Sequence, residues 1–505
     1  MSEGPMIEQA SSIGSKTPDR SPSGESHEPK VKLGKRRSLA SRYPTNVIGK
    51  IAQRAHGLVE KLPDIVDKKT LNEAVDIETR FVKDHLQGVL TKETKVPGTE
   101  IDRGVSVRFE RAEIARALKA FKSLPERKAF FQKIEKAKQR QEDPGSHIEA
   151  LRQFDGKFRK GVSELEKNLD TLYRQFYENR IPVKINDPEL GIDEISVAVL
   201  DLNPPKKGEE DARIPYVLIP TYASSPVQTA EFSIQLALKR GLKGEKVMVW
   251  TFPEKYLLSK PAADWLEKLR KNGTLEPYAR AVGKTIQKLR GEEIPEDKRI
   301  TTERINLVGI SMGAAIVLEM AADPDFSGQI EDLIVVEPPS VIKKSSAKFL
   351  IDYGLRESPR ALVNAEERIK VAVGENAREN VATLTKTPFV VTPILAKELI
   401  PQKKLRRIRP HGRFQVWFGG DSSVTGRKTR EAFLEAESAR RDDPNASPLE
   451  MYVIKGGRHQ SPIVHSGGVT AVITAKERPS QTVTTLAQED LDNSAAASIL
   501  NNLTA

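Results

Sequence analysis

The sequence predicts an α/β protein built on a mostly parallel open sheet with helices on both faces. A helical cap insert interrupts the sheet, and a helical N-terminal region and a disordered tail precede it. Three observations carry this. Seven short runs between residues 195 and 459 are apolar nearly throughout, as strands buried on both faces are, and stretches of helical spacing separate them. Ahead of residue 180 the apolar spacing is helical alone. The first 43 residues hold too few large apolar side chains to offset the entropy of ordering.

Taken in order, residues 1–43 read as a disordered basic tail rich in Ser, Pro, Gly, Lys and Arg. The tail ends in "KVKLGKRRSLASR", a cluster suited to weak contact with anionic surfaces, and Ser38 follows two arginines as a basophilic kinase prefers. Residues 44–180 form the helical N-terminal region. Its stripes are Val47, Ile48, Ile51, Ala55, Leu58, Val59 and Leu62, then Ile114, Leu118, Phe121 and Leu124, then Val162, Leu165, Leu169, Leu172, Tyr173 and Phe176. "DPGSH" at 143–147 breaks one helix from the next. Such stripes need cover, which a small bundle of these helices or their packing on the later domain would supply, ahead of binding to a partner.

The α/β domain is expected over 181–470. Its strand runs are "ISVAVLDL", "IPYVLIPTY", "KVMVWTF", "INLVGIS", "DLIVVEPPS", "FQVWFGGDSS" and "EMYVIKGGRH". The span 341–410 is too long for one crossover and holds helix-like stretches, so it reads as a cap insert. Residues 471–505 are expected to be a C-terminal tail that ends frayed.

Bulk properties bound the function. At 505 residues with 38% hydrophobic content, two folded units plus tails are expected. The net charge of +11 favours anionic surfaces without naming one. With no cysteine, disulfides, thiolate metal sites and a cysteine nucleophile are excluded. No apolar stretch approaches the ~20 residues of a membrane span, and no signal or transit segment is evident, so a cytoplasmic location is expected.

The chemistry centres on "RINLVGISMGAAIVLEMA", where an apolar strand meets Gly-x-Ser-x-Gly and then a helix. A serine hydroxyl needs a base, an orienter for that base and donors for an oxyanion. Gly309 and Gly313 remove side chains around Ser311, where a tight turn brings the next helix close. Asp421 follows a strand through Gly-Gly, and His459 follows the last strand through "KGGR"; open α/β sheets carry their sites along that edge. Glu337, at a strand's end, is the alternative acid, and His465 competes as base. The glycine pairs before Asp421 and His459 favour those two.

These residues resemble the α/β-hydrolase superfamily, in the order Ser, Asp, His, the elbow motif and the glycine-bearing loops, over roughly residues 195–465. The resemblance implies that Ser311 is the nucleophile, His459 the general base and then acid, and Asp421 the group that fixes the imidazole tautomer. It implies an oxyanion hole from the amide of Met312 and, after "YVLIPTY", the amide of Tyr222, with Thr221 as alternative. Here the chain departs from the family, carrying Pro220-Thr221 where His-Gly is common.

The expected activity is hydrolysis of a carboxylic ester, thioester or amide of a small-molecule or acyl substrate, and it requires no metal or organic cofactor. Alternatives are acyl transfer, or a non-catalytic binding protein that works through its basic helical region. Lys403, Lys404, Arg406, Arg407 and Arg409 would meet an anionic substrate group if the insert closed over the site, although a solvated face is the commoner use of such a run. Trp250, Phe252 and Tyr256 suit an acyl pocket or core packing equally. No P-loop, dinucleotide fingerprint or His-Glu-x-x-His helix is present.

Overall fold

The computed structural model describes residues 125–357 and 387–494, except 207, 210, 222–225, 239–244, 253–259, 445 and 476–477, together with scattered positions between 53 and 122. The N-terminal tail, most of the first two helical stripes, Tyr222, Tyr256 and the middle of the insert lie outside the described residues.

Helix α1 (Pro125–Gln139) packs on the long α2 (Gly145–Tyr177). The apolar face of α2 buries Phe158, Leu165, Leu169, Leu172, Tyr173 and Phe176, spaced so that they share one side. That face lies against strand β2 (Ile192–Leu200) and helix α3 (Pro226–Leu238), so α2 is one of the layers of the sheet protein.

The sheet has nine described strands in the order β1-β2-β4-β3-β5-β6-β7-β8-β9. Besides β2 these are β1 (Ile181–Asp187), β3 (Tyr216–Ile219), β4 (Val247–Trp250), β5 (Ile305–Ile310), β6 (Ile330–Val336), β7 (Phe414–Gly419), β8 (Leu449–Ile454) and β9 (Val483–Leu486). From β4 to β9 every neighbour is parallel, whereas β2 runs antiparallel to both β1 and β4. The segment assigned to a C-terminal tail thus supplies β9, in register with β8.

Successive side chains of a strand face opposite sides, and the core divides accordingly. Val217, Ile219, Ile305, Leu307, Val416 and Phe418 join one apolar layer with α4 (Lys260–Asn272), α5 (Glu276–Leu289), α6 (Met312–Ala321) and α9 (Gly426–Arg440). Tyr216, Leu218, Val308, Ile310 and Trp417 join the other with α2, α3 and α10 (Ser466–Ile473). The insert contributes α7 (Ser346–Leu350) and α8 (Thr387–Leu395), which touch each other, and α8 also packs on α4. Among the described residues no helix is long and apolar enough to cross a membrane.

Two sequence expectations take a definite form here. Trp250 and Phe252 are buried in edge-to-face contact with Tyr278, and Trp250 Nε1 donates to Thr285 Oγ1, so both rings are core. The basic run at the end of the insert lies just ahead of β7. Lys404 pairs with Glu319 near the end of α6, and Arg409 with Asp443 just past α9. Helices that follow parallel strands run back along the sheet, so those helix ends mark the edge opposite Ser311. The run therefore braces that far edge.

Candidate active site

Five residues of the site follow the carboxyl ends of parallel strands: Ser311 after β5, Glu337 after β6, Ser422 and Thr425 after β7, and His459 after β8. Because the strands are parallel and adjacent, their exits share one rim.

Ser311 sits between β5 and α6 with φ 52° and ψ −116°. Such a backbone costs roughly 1–3 kcal/mol for a non-glycine residue and persists only when its surroundings enforce it. The flanking glycines show the enforcement. A Cβ on Gly313 would lie 2.1 Å from the carbonyl oxygen of Ile219 and 2.6 Å from that of Pro220. One on Gly309 would lie 2.4 Å from the carbonyl oxygen of Gly313 and 2.5 Å from Val317 Cγ2. The turn thus closes only with hydrogen at both positions, and the exit of β3 runs directly beside the start of α6. Apart from Glu319 near its end, helix α6 is apolar and buried between the sheet and neighbouring helices, which holds its first turn in place.

The hydroxyl of Ser311 lies 2.9 Å from Nε2 of His459. Nδ1 of the same ring lies 3.0 Å from Oε2 of Glu337. All three side chains are buried, at 9% exposure for Ser311, 3% for His459 and 1% for Glu337. The carboxylate of Glu337 is also solvated by protein donors: the amide of Gly419 to Oε1, and the hydroxyls of Ser422, at 2.9 Å, and Thr425 to Oε2. A buried carboxylate needs such donors to remain charged. Glu337 has a positive φ of 53°, as Ser340 just beyond it does at 65°, so strained backbone marks both sides of the Ser311–His459 contact.

This arrangement corrects the choice of acid. Asp421 is exposed, and its main chain is what engages the histidine loop: its amide donates to Gly457 and its carbonyl accepts from Arg458. The place beside Nδ1 is filled by Glu337, so the alternative acid of the sequence reading is the one in contact. The Gly-Gly pair before Asp421 serves a different end, since a Cβ on Gly419 would lie 2.4 Å from the carbonyl oxygen of Arg458. His465 lies elsewhere, with Nδ1 2.9 Å from Asp492 and Nε2 3.3 Å from Gln488, and it ties α10 to the segment after β9.

The amide of Met312 begins α6 beside Ser311, among the N–H groups that a helix leaves without an internal acceptor. Thr221, buried on the β3 exit, is the described residue of that loop.

Two residues of the insert reach the site and had no signal in the sequence. The ring of Tyr353 meets that of His459 edge-on, 5.8 Å between centroids at 84°. Burial pushes the Tyr353 phenol up to about 12. Glu357 accepts the main-chain N–H of His459 at 3.0 Å. Ser422 and Thr425 were likewise missed; as hydroxyls just past a strand that meets a buried acid, they are legible only once Glu337 is chosen.

No protein-family model and no curated protein matches the chain. Solved structures of similar shape include a lipase-esterase related protein from Clostridium acetobutylicum, with 16% identity, covering 52% of this chain and 95% of that one, at a TM-score of 0.33. A hydrolase from Pseudomonas aeruginosa has 12% identity over 59% and 97%, at 0.36. The enol-lactonase from Burkholderia xenovorans has 12% identity over 55% and 95%, at 0.37. The chain's own topology decides the fold: a serine on a strained strand-to-helix turn, then an acid and a histidine in that chain order, each beyond a parallel strand. The fold is the α/β-hydrolase fold.

Proposed function

We propose that the protein is a serine hydrolase that cleaves a carboxylic ester, thioester or amide through an acyl-enzyme on Ser311. The observation that carries this reading is the unbroken relay from Ser311 Oγ to His459 Nε2 at 2.9 Å and from His459 Nδ1 to Glu337 Oε2 at 3.0 Å. With Glu337 holding the proton on Nδ1, Nε2 is the ring's acceptor and takes the hydroxyl proton as Oγ attacks the carbonyl carbon. The oxyanion forms against the amide of Met312 and a second amide from the β3 exit, Tyr222 or Thr221. His459 then gives its proton to the leaving alcohol, thiol or amine. Water, deprotonated in turn by His459, attacks the acyl carbon and frees the carboxylate and Ser311. The side chain of Glu337 stabilises the imidazolium as it forms.

The test is turnover of short-chain p-nitrophenyl esters and the matching thioesters by the purified full chain. A rate above background is expected, and Ser311→Ala should lower kcat at least about 10⁴-fold. Undiminished turnover by Ser311→Ala would overturn the proposal.

A further inference from the structure

Past β6 the chain passes Glu337, enters α7 and then widens into a π-helical turn over Ile351–Glu357. Such turns are rare and concentrate at functional sites. This one buries two acids, Asp352 at 2% exposure and Glu357 at 1%. Asp352 is answered by cations, Lys344 Nζ at 3.3 Å and Arg356 at 3.0 Å. Lys344 also donates to the carbonyls of Ser423 and Val424 at 2.7 Å each, which staples the insert to the loop after β7.

Glu357 is answered differently. Its Oε2 accepts from the main-chain N–H of His459 at 3.0 Å, and its Oε1 from both the N–H and the hydroxyl of Ser423, at 2.5 Å each. Among the described residues no lysine or arginine forms an ion pair with it. A carboxylate so buried is costly unless hydrogen bonded, so the donors of the two loops and Glu357 hold one another in place. The same turn sets Tyr353 edge-on against the imidazole. Ser423 lies next to Ser422, whose hydroxyl donates to Glu337. One side chain of the insert therefore bridges the loop that carries the base and the loop that solvates the acid.

We infer that Glu357 is a positioning residue for the reaction: it fixes the main chain of His459, and so the direction of Nε2 toward Ser311, while locking the Ser422–Thr425 loop around Glu337. This rests on the serine-hydrolase reading above. The start of the insert is then a strut of the catalytic base, and the base cannot keep its place when that turn moves.

The experiment compares wild type, Glu357→Gln and Glu357→Ala in the full chain by steady-state kinetics on a p-nitrophenyl ester and by the downfield proton NMR signal of His459 Nδ1. Glutamine keeps the shape but has one acceptor oxygen where two are used, so it must release either His459 or Ser423. Glu357→Gln should lower kcat about tenfold and Glu357→Ala about 100-fold, with KM changed less than about twofold and the Nδ1 signal displaced in both. Wild-type kcat with an undisplaced signal in Glu357→Gln, or in Glu357→Ala where that variant folds, overturns the inference. Should wild type itself fail to turn over, the hydrolase reading falls, while a displaced signal in Glu357→Gln still supports the positioning role.

Discussion

Oε2 of Glu337 lies 3.0 Å from Nδ1 of His459, although 122 positions separate them in the chain. From that contact the two candidate acids should part sharply under mutation. In Glu337→Gln, the amide nitrogen either faces the Gly419 N–H, which then loses its acceptor, or faces His459 and donates to Nδ1, which forces the ring into the wrong tautomer. A fall in kcat of roughly 10³–10⁴-fold is expected, whereas Asp421→Asn, on an exposed side chain, should stay within about threefold. Steady-state kinetics on the two variants, each with a melting curve, decides between them.

How far the sequence carried toward this site can be read from particular residues. Ser311 and His459 were legible because the turn imposes glycines and the histidine follows an apolar strand. Asp421 follows from the sequence because a glycine pair suits an exposed loop, whereas the acid that meets His459 Nδ1, Glu337, is buried. The signal that favours Glu337, already the alternative acid as a charge at a strand's end, is "LIVVEPPS", where a lone charge closes an apolar run and must find a partner. Glu357 had no such mark, since its partners are main-chain and hydroxyl groups far away in sequence.

The fold shows the same division. The central strands are continuous apolar runs, but β1 alternates buried and exposed residues as an edge strand does, so "IPVKIND" holds no such run. β9 is "VTTL", half-buried along the other edge, and its two threonines leave no apolar run there either. The role of the basic run near residue 406 depended on the direction of α6 and α9, which spacing alone does not give.

Two glycine-to-alanine changes should have opposite signs. Gly313→Ala places a methyl against the fixed main chain of Ile219 and Pro220, and a loss of about 3 kcal/mol or more is expected from such overpacking. Gly283 lies inside α5 with nothing within 4 Å of an added Cβ, so Gly283→Ala should stabilise by about 0.4–1 kcal/mol. Denaturant unfolding of both variants checks the pair.

Acid should weaken the fold partly through Asp211, just ahead of β3. Burial raises its carboxyl, but bonds from Arg213 at 2.8 Å and Lys246 at 3.2 Å outweigh burial and leave it below its ordinary value. A depressed folded value means that the stabilisation is complete above the unfolded value of about 3.9 and is lost as pH falls through the folded one. The gap in Tm between wild type and Asp211→Asn should therefore be wide at neutral pH and narrow below about pH 4. A gap of constant width across that range would show that the bonds do not depend on the charge.

The most direct measurement on the central claim is mass spectrometry of the chain after exposure to a fluorophosphonate, which reacts with serines activated by a neighbouring base. A single adduct on the peptide carrying Ser311 is expected, absent from Ser311→Ala and much slowed in His459→Ala. No adduct on the wild-type chain, or an adduct that persists in Ser311→Ala, would contradict the account.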